Sequence, residues 1–262
     1  MKKRFATSAA LVAALSMVGM PTVFAQDDAA AEEPAAEEGP LFPSMEHFGA
    51  VNAAEPVAGK TLEEWAHEMV LWMNAPIDQN ALETGDCNVG QGDEVFFLQN
   101  TWLGQSIIME CSIPAGAHIL AFPGGGFGFN TEPDETPEGL AAFGRQMSQF
   151  YNDPRIIVDG TSVPVGPAAW VNAEPFDYEV PENNIFGGYP AGTVTAHYAG
   201  WFVMLEPLEP GEHIVIVGDD SIGPVKDAEG NVHYTEGTAY AVYDITVADG
   251  EGDMAEDAAA SE

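Results

Sequence analysis

The histidines are the first side chains in this sequence whose type and spacing could support chemistry. His118 and His213 each follow a Pro/Gly turn and open an apolar run, and His197 lies inside another apolar run. If the fold brings the two similar turns together, the three imidazoles could bind a metal ion. The sequence lacks the H-x-H and H-E-x-x-H spacings of zinc sites. The competing interpretation, which we favour, is that each histidine caps a turn by hydrogen bonding to the backbone.

Aspartates form the second group with chemical potential. Asp219, Asp220 and Asp227 fall in one acidic segment that we expect to be a loop. Carboxylate oxygens are ligands that calcium prefers, so calcium is the one cofactor that the sequence brings into question. The spacing differs from that of an EF-hand, and clusters arise by chance in a chain with 42 Asp and Glu residues. We therefore favour a solvated acidic loop and a protein without a cofactor.

Catalysis by a nucleophile or by paired acids has little support in the sequence. There is no G-x-S-x-G nucleophile elbow. A glycosidase needs two carboxylates at a defined separation, but the abundance of acids leaves no means of choosing a pair. A secreted hydrolase that acts on polysaccharide through paired carboxylates is therefore the alternative function, with no catalytic residue assigned.

Cys87 and Cys111 are the only cysteines, so an intrachain disulfide would have fixed partners. Such a bond would stabilise the fold by roughly 3 kcal/mol, mainly by restricting the unfolded chain. Disulfides persist in oxidising compartments. Residues 1–25 have the pattern of an export signal, so the bond is favoured over two buried free thiols.

The ends of the chain predict an exported protein. Residues 1–25 have the basic start, apolar middle and small residues before a cleavage site that are typical of a signal peptide. Residues 26–40 predict an acidic disordered linker, and residues 249–262 predict a similar tail. Residues 41–248 then form a single domain. No other segment is long and apolar enough to span a membrane, so we expect a soluble periplasmic or extracellular protein of unknown oligomeric state.

The charge of the chain restricts its partners. The formal net charge is −35, with 42 acidic and 7 basic residues. Because nucleic acids and anionic lipid surfaces are themselves negative, the sequence predicts that neither is a partner. Adaptation to a salty medium and binding of divalent cations both explain the acidity, and we favour salt adaptation because it requires no specific site.

The periodic segments predict a mostly β fold. Residues 61–73 predict an amphipathic helix that begins with the capping box of Thr61 and Glu64, and a second helix is expected from Thr136 to about residue 151. We interpret residues 87–123 as three consecutive antiparallel strands and the glycine-rich residues 124–130 as a mobile loop. Further short strands follow up to residue 247. Together they predict an antiparallel β-sandwich, jelly-roll-like, with two inserted or flanking α-helices.

The order of several motifs resembles that of a family of exported bacterial proteins of uncharacterised function. The matching features are Trp65 and Trp72 on the first helix, residues 84–98 (TGDCNVGQGDEVFFL), residues 111–116 (CSIPAG), residues 158–160 (VDG), residues 182–186 (ENNIF) and residues 200–213 (GWFVMLEPLEPGEH). The sequence departs from the family at Ala117 and His118, where the family pattern has a lysine after the glycine, and at an acidic insertion after Asp219. The resemblance implies export and a β-rich fold, and it brings no catalytic residue.

These observations favour a non-enzymatic protein over an enzyme. The expected function is that of an acidic β-sandwich at the cell surface or in the periplasm, with a binding or structural role. Its partner is expected to be an unknown surface or extracellular ligand, and neither a nucleic acid nor a membrane.

Overall fold

A computed structural model of the chain describes residues 49–101, 106–130, 136–147, 151, 153–222, 225–226, 232–234 and 237–249. The predicted signal peptide, the linker and the tail beyond Asp249 lie outside these residues. None of the described helices has the length and apolar character needed to cross a bilayer.

Strands dominate the described part of the chain, which also contains three α-helices. The helices are α1 (Leu62–Met73), α2 (Ala81–Thr84) and α3 (Pro137–Met147). The strands are β1 (Val95–Gln99), β2 (Ser106–Ile113), β3 (His118–Phe129), β4 (Pro154–Val158), β5 (Thr161–Val163), β6 (Trp170–Asn172), β7 (Phe176–Val180), β8 (Gly192–Leu205), β9 (Gly211–Ile222), β10 (Val225–Lys226), β11 (Val232–Tyr234) and β12 (Gly237–Val247).

Two five-stranded sheets form the predicted β-sandwich. The first sheet has the order β1-β3-β8-β6, with β7 also paired to β8, and the second has the order β2-β12-β9-β4-β5. Strands β10 and β11 form a separate two-stranded ribbon. One continuous apolar core contains residues of both sheets and of α1. Across the sandwich, the Tyr243 hydroxyl donates to the backbone carbonyl of Gln99 at 2.6 Å.

The prediction of three consecutive antiparallel strands in residues 87–123 was wrong. Strand β1 pairs with β3 in parallel, with Val95 opposite His118. The intervening β2 lies in the other sheet, where it pairs with β12 in parallel. Every residue of β1 is buried, which is typical of a strand covered on both faces rather than of one arm of a solvated hairpin.

The glycine-rich run is the second half of β3, and its interpretation as a mobile loop was also wrong. Pairing with β8 continues through Gly124, Gly125 and Gly126 after a register shift. A Cβ atom added at Gly125 would lie 2.5 Å from the carbonyl oxygen of Ala199. The glycines are therefore required because the backbones of β3 and β8 approach too closely for side chains.

Helix α1 begins at the predicted capping box. The Thr61 hydroxyl accepts a hydrogen bond from the Glu64 amide, and the Glu64 carboxylate accepts one from the Thr61 amide at 2.8 Å. The buried stripe of the helix lies on the first sheet, where Trp65 and Trp72 contact Phe97 of β1 with ring centroids 6.3 and 5.7 Å apart. This helix therefore forms a third layer over one face of the first sheet.

Helix α3 also agrees with its prediction at its start. The Thr136 hydroxyl accepts a hydrogen bond from the Gly139 amide at 3.2 Å. The described part of the helix spans Pro137–Met147, and Tyr151, the expected last residue, is in a β-bridge. The short α2, which Asn80 caps, was not predicted, because one turn is too short to show a helical period.

The segment between α2 and β1 holds the three layers together. Cys87 forms the predicted disulfide with Cys111 of β2, with Cα atoms 5.7 Å apart. The side chain of Gln91 donates to the carbonyl of Phe97 and accepts from its amide, at 2.9 and 2.8 Å. The Trp72 indole donates to the carbonyl of Val89 at 2.8 Å. One segment thus connects the second sheet, the first sheet and α1.

Candidate functional site

The structure does not bring the three predicted metal-binding histidines together. His118 is the first residue of β3, and His197 of β8 lies opposite Gly128 of β3, about 30 Å along the same strand. His213 lies in β9 of the second sheet. No three His, Cys, Asp or Glu side chains in the described residues form a group that could hold a metal ion.

His213 joins a turn to a strand, as the favoured interpretation expected. Its Nδ1 lies 2.7 Å from Oδ2 of Asp159, and its Nε2 lies 2.8 Å from the carbonyl oxygen of Glu209. Partial burial lowers the pKa of His213, but the hydrogen bonds to Asp159 and Glu209 outweigh it, so the pKa is raised overall. Partial burial raises the pKa of Asp159, but its bonds to His213 and to the Ile214 amide lower it overall.

Two of the three predicted calcium ligands lie in a strand and not in a loop. Asp219 and Asp220 are neighbours in β9, so their side chains point to opposite faces. Asp219 is buried and accepts a hydrogen bond from the Asp153 amide at 3.3 Å. Asp220 forms an ion pair with Arg155 at 2.5 Å and accepts a hydrogen bond from the Tyr240 hydroxyl. Asp227 lies outside the described residues.

A wide concavity beside α1 is the candidate active site for the alternative function, a hydrolase with paired carboxylates. It has a volume of about 440 Å³ and is lined by several carboxylates, including those of Glu63, Glu64 and Glu174, all three exposed. The hydrogen bond from the Thr61 backbone amide lowers the pKa of Glu64. A general acid instead needs a carboxyl whose pKa is raised by burial. Asp219 is the one buried carboxylate among the described residues, so these residues contain no pair of buried acids.

A smaller pocket of about 80 Å³ lies where the end of α1 meets the first sheet. We call it the helix–sheet pocket. Its lining combines apolar and aromatic side chains, uncharged polar side chains and the three consecutive glycines of β3. It comprises Val70, Met73, Asn74, Gln99, Asn100, Thr101, Phe122, residues 124–126, Phe127, Tyr151 and Tyr198. None of these residues is charged, although the chain carries a formal charge of −35.

Residues of α1, β1 and β3 form most of this pocket. The apolar run of β1 ends in Gln99, and Gln99 lies opposite Phe122 of β3. Gln99 lies two residues after Phe97 in the same strand, and side chains two residues apart in a strand point to the same face. Because Phe97 contacts α1, the Gln99 side chain points to the helix-covered face. The glycines of β3 carry no side chains that could fill the space. The Tyr151 ring lies directly over Gly124, where an added Cβ would be 2.5 Å from the Tyr151 Cδ1.

Two neighbouring amide side chains in the pocket differ in their hydrogen bonding. The Asn100 side chain donates to the carbonyl of Pro123 at 2.8 Å and accepts from the Thr101 amide at 2.7 Å. Gln99 is only 3% exposed, and its Nε2 has no hydrogen-bond partner. Asn100 thus holds the end of β1 against β3, whereas Gln99 presents an unused amide to the pocket.

Comparison of the chain with protein-family models, with curated proteins and with solved structures gives no match. The resemblance to exported bacterial proteins therefore stays a prediction. The function must be argued from the geometry of the chain itself.

Sequence reasoning assigned no role to Gln99. The one available signal was the polar triplet from Gln99 to Thr101, which begins at the last residue of β1, directly after the apolar run of residues 95–98. Polar residues after a strand are typical of a solvated turn, whereas in this chain all three are buried.

Proposed function

We propose that this chain is an exported, non-enzymatic binding protein that holds a small uncharged group of its ligand in the helix–sheet pocket. The observation that carries the proposal is the buried Nε2 of Gln99, which has no partner and lines the pocket. An unsatisfied buried polar group costs about 1–3 kcal/mol, and buried polar groups in native proteins are nearly always bonded. A ligand oxygen that accepts this hydrogen bond removes the cost.

The lining restricts the chemistry of the bound group. The lining residues that the structure describes include no cationic side chain to neutralise an anion, and the negative charge of the chain repels one. An amide N–H donates a hydrogen bond, so it selects an acceptor. Because the lining is uncharged, the acceptor that fits is a neutral carbonyl or hydroxyl oxygen. Met73, Phe122 and Phe127 supply apolar contacts for a methyl group. A neutral acetamido group combines both features.

The size of the pocket indicates that it holds part of a ligand. Its volume of about 80 Å³ is well below the roughly 150 Å³ of a cavity that holds benzene. Only a group of a few non-hydrogen atoms fits inside, and the remainder of the ligand lies outside. An acetamido substituent of a surface saccharide meets this requirement.

Two further features support a location outside the cytoplasm. The Cys87–Cys111 bond favours an oxidising compartment, and the first 25 residues have the sequence pattern of a leader peptide. Binding at the cell surface or in the periplasm is therefore part of the proposal.

Saturation-transfer NMR with N-acetylglucosamine and acetamide as probes tests this function, with acetate and glucosamine as their charged counterparts. We expect signal transfer to the acetyl methyl group of both neutral probes and to neither charged one. The variant Gln99→Met keeps the side-chain length and removes the amide, so it abolishes the signal. The matched control is Gln79→Met, at an exposed glutamine, which leaves the signal unchanged. Transfer that survives Gln99→Met overturns the proposal.

A further inference from the structure

The second sheet carries a row of aliphatic side chains across its outer face. Ile108 of β2 lies opposite Val242 of β12, Val242 lies opposite Ile216 of β9, and Ile216 lies opposite Ile157 of β4. Directly opposed residues of neighbouring strands point to the same face. These four side chains, the aliphatic row, therefore form one band of about 14 Å across four strands.

The described chain leaves this band uncovered. Ile108 is 78% exposed, and Ile214, beside the row on β9, is 42% exposed. The other three members are half-buried. Helices α1 and α3 both contact the first sheet, through β3 and β8. The row thus joins one exposed aliphatic side chain to three half-buried ones, and contiguous apolar surface of this kind marks interaction sites.

Carboxylates lie beside the aliphatic row on the same outer face of β2, β12 and β9. Glu110 lies opposite Asp244, and Glu212 lies opposite Thr246. The three acids share a surface concavity of about 350 Å³. The ion pairs of the described residues involve Lys60, Arg155 and His213, and none of them includes these acids. An apolar band thus lies beside negative charge that the described residues do not neutralise.

We propose that this face of the second sheet docks a partner protein that presents aliphatic side chains flanked by lysine or arginine. Aliphatic residues cover the row while the cations pair with Glu110, Asp244 and Glu212, which is the charge pattern of a complementary interface. A second copy of this chain would oppose the same acids to one another. An anionic lipid surface is repelled for the same reason.

Titration of the full chain with the synthetic peptide KLKLKLK, followed by amide chemical shifts and by calorimetry, tests the proposal. We expect shift changes centred on Ile108, Val242 and Ile214. The variant Ile108→Ser/Ile214→Ser should weaken binding at least about tenfold, because interface energy is concentrated in a few central side chains. The control Ile77→Ser, at another exposed isoleucine, should leave the affinity unchanged. The peptides KSKSKSK and ELELELE should bind at least about tenfold more weakly.

Three results would overturn the proposal. An unchanged affinity in Ile108→Ser/Ile214→Ser, with shifts spread over all acidic surfaces, shows charge attraction only. A concentration-dependent dimer in sedimentation that Ile108→Ser abolishes makes a second copy the occupant. Co-sedimentation with phosphatidylcholine vesicles that needs Ile108 makes the face a lipid contact. Because the helix–sheet pocket lies on the other sheet, each of these outcomes leaves its ligand binding untouched.

Discussion

The two sheets of the sandwich differ in how many of their faces are covered. In the first sheet, α1 covers one face and the second sheet covers the other, so every residue of β1 is buried. In the second sheet, β2 and β12 alternate between buried and exposed residues, and the outer face meets solvent. The same difference is visible in part in the sequence. Strand β1 begins with the unbroken apolar run of residues 95–98, whereas β12 alternates from Tyr243 to Val247, as expected for two-sided and one-sided burial.

The difference also separates the two proposed binding sites by chemistry. On the covered sheet, the surrounding layers can hold a buried polar group in place without giving it a hydrogen-bond partner. The Gln99 side-chain amide is such a group. On the uncovered sheet, the binding surface is broad and apolar, and acids lie beside it. A small neutral group therefore suits the first sheet, and a protein surface suits the second.

The largest expected effect is a change in the core on the covered face of the first sheet. Phe97→Ala removes a ring that contacts Trp65 and Trp72, and should lower the free energy of unfolding by about 3–5 kcal/mol. Ile108→Ala on the uncovered sheet should change it by less than about 0.5 kcal/mol. Urea unfolding followed by tryptophan fluorescence measures both. Similar losses in the two variants would show that the outer face of the second sheet is covered in solution.

Removing the link between the layers should have the next largest effect. The double variant Cys87→Ala/Cys111→Ala should lose about 3 kcal/mol of unfolding free energy, because the bond closes a loop with a sequence separation of 24 residues. Alanine avoids burying a hydroxyl at two positions that are almost fully buried. Reductant should lower the urea midpoint of the wild type and leave that of the double variant unchanged. An equal response of both proteins to reductant would contradict a stabilising role of the bond.

Local features of the fold were predictable, and long-range pairing was not. The capping box at Thr61 and Glu64 and the turn at Asp159 and Gly160 depend on neighbouring residues. That turn joins β4 to β5 with positive φ angles of 49° at Asp159 and 79° at Gly160, a conformation that Asp-Gly pairs favour in hairpins. The parallel pairing of β1 with β3 depends on β2 crossing to the other sheet, which no short pattern in the sequence specifies.

The candidate site was harder to predict than the fold. Gln99 follows an apolar run in the sequence, but its burial depends on α1 and on the glycines of β3, which come from other parts of the chain. His118 and His213 follow similar turns, and that similarity offered a shared metal site as the alternative to the favoured interpretation of turn-capping histidines. The two turns open strands of different sheets, so the resemblance reflects the same turn chemistry used twice.

Two neighbouring pocket residues should respond to substitution with opposite signs. Asn100→Ala removes the partners of the Pro123 carbonyl and the Thr101 amide, so it should lower the free energy of unfolding by about 2 kcal/mol. Gln99→Met removes a buried donor that has no partner, so it should raise the free energy by about 1 kcal/mol. Urea unfolding without any probe ligand measures both. A loss of stability in Gln99→Met would mean that the wild-type amide is already satisfied, and would contradict its role in ligand binding.

A small effect that should depend on pH is expected at the contact between His213 of β9 and Asp159 of the turn between β4 and β5. His213→Gln breaks the contact with Asp159, and should cost roughly 0.5–1 kcal/mol because Asp159 is half exposed and solvent screens the pair. The raised pKa of His213 means that its contribution is fully present below the ordinary histidine value of about 6.5 and is lost as the pH rises through the raised pKa.

The lowered pKa of Asp159 sets the acid limit of the same contribution. That contribution is present above the ordinary aspartate value of about 3.9 and is lost as the pH falls through the lowered pKa. The difference in unfolding free energy between wild type and His213→Gln should therefore be largest between about pH 4 and 6.5, and smaller at pH 8.5. Asp159→Asn should give the same profile, and the double variant should add little to either single change. A difference that does not vary with pH would mean that the two side chains contribute through their shape and not through their charge.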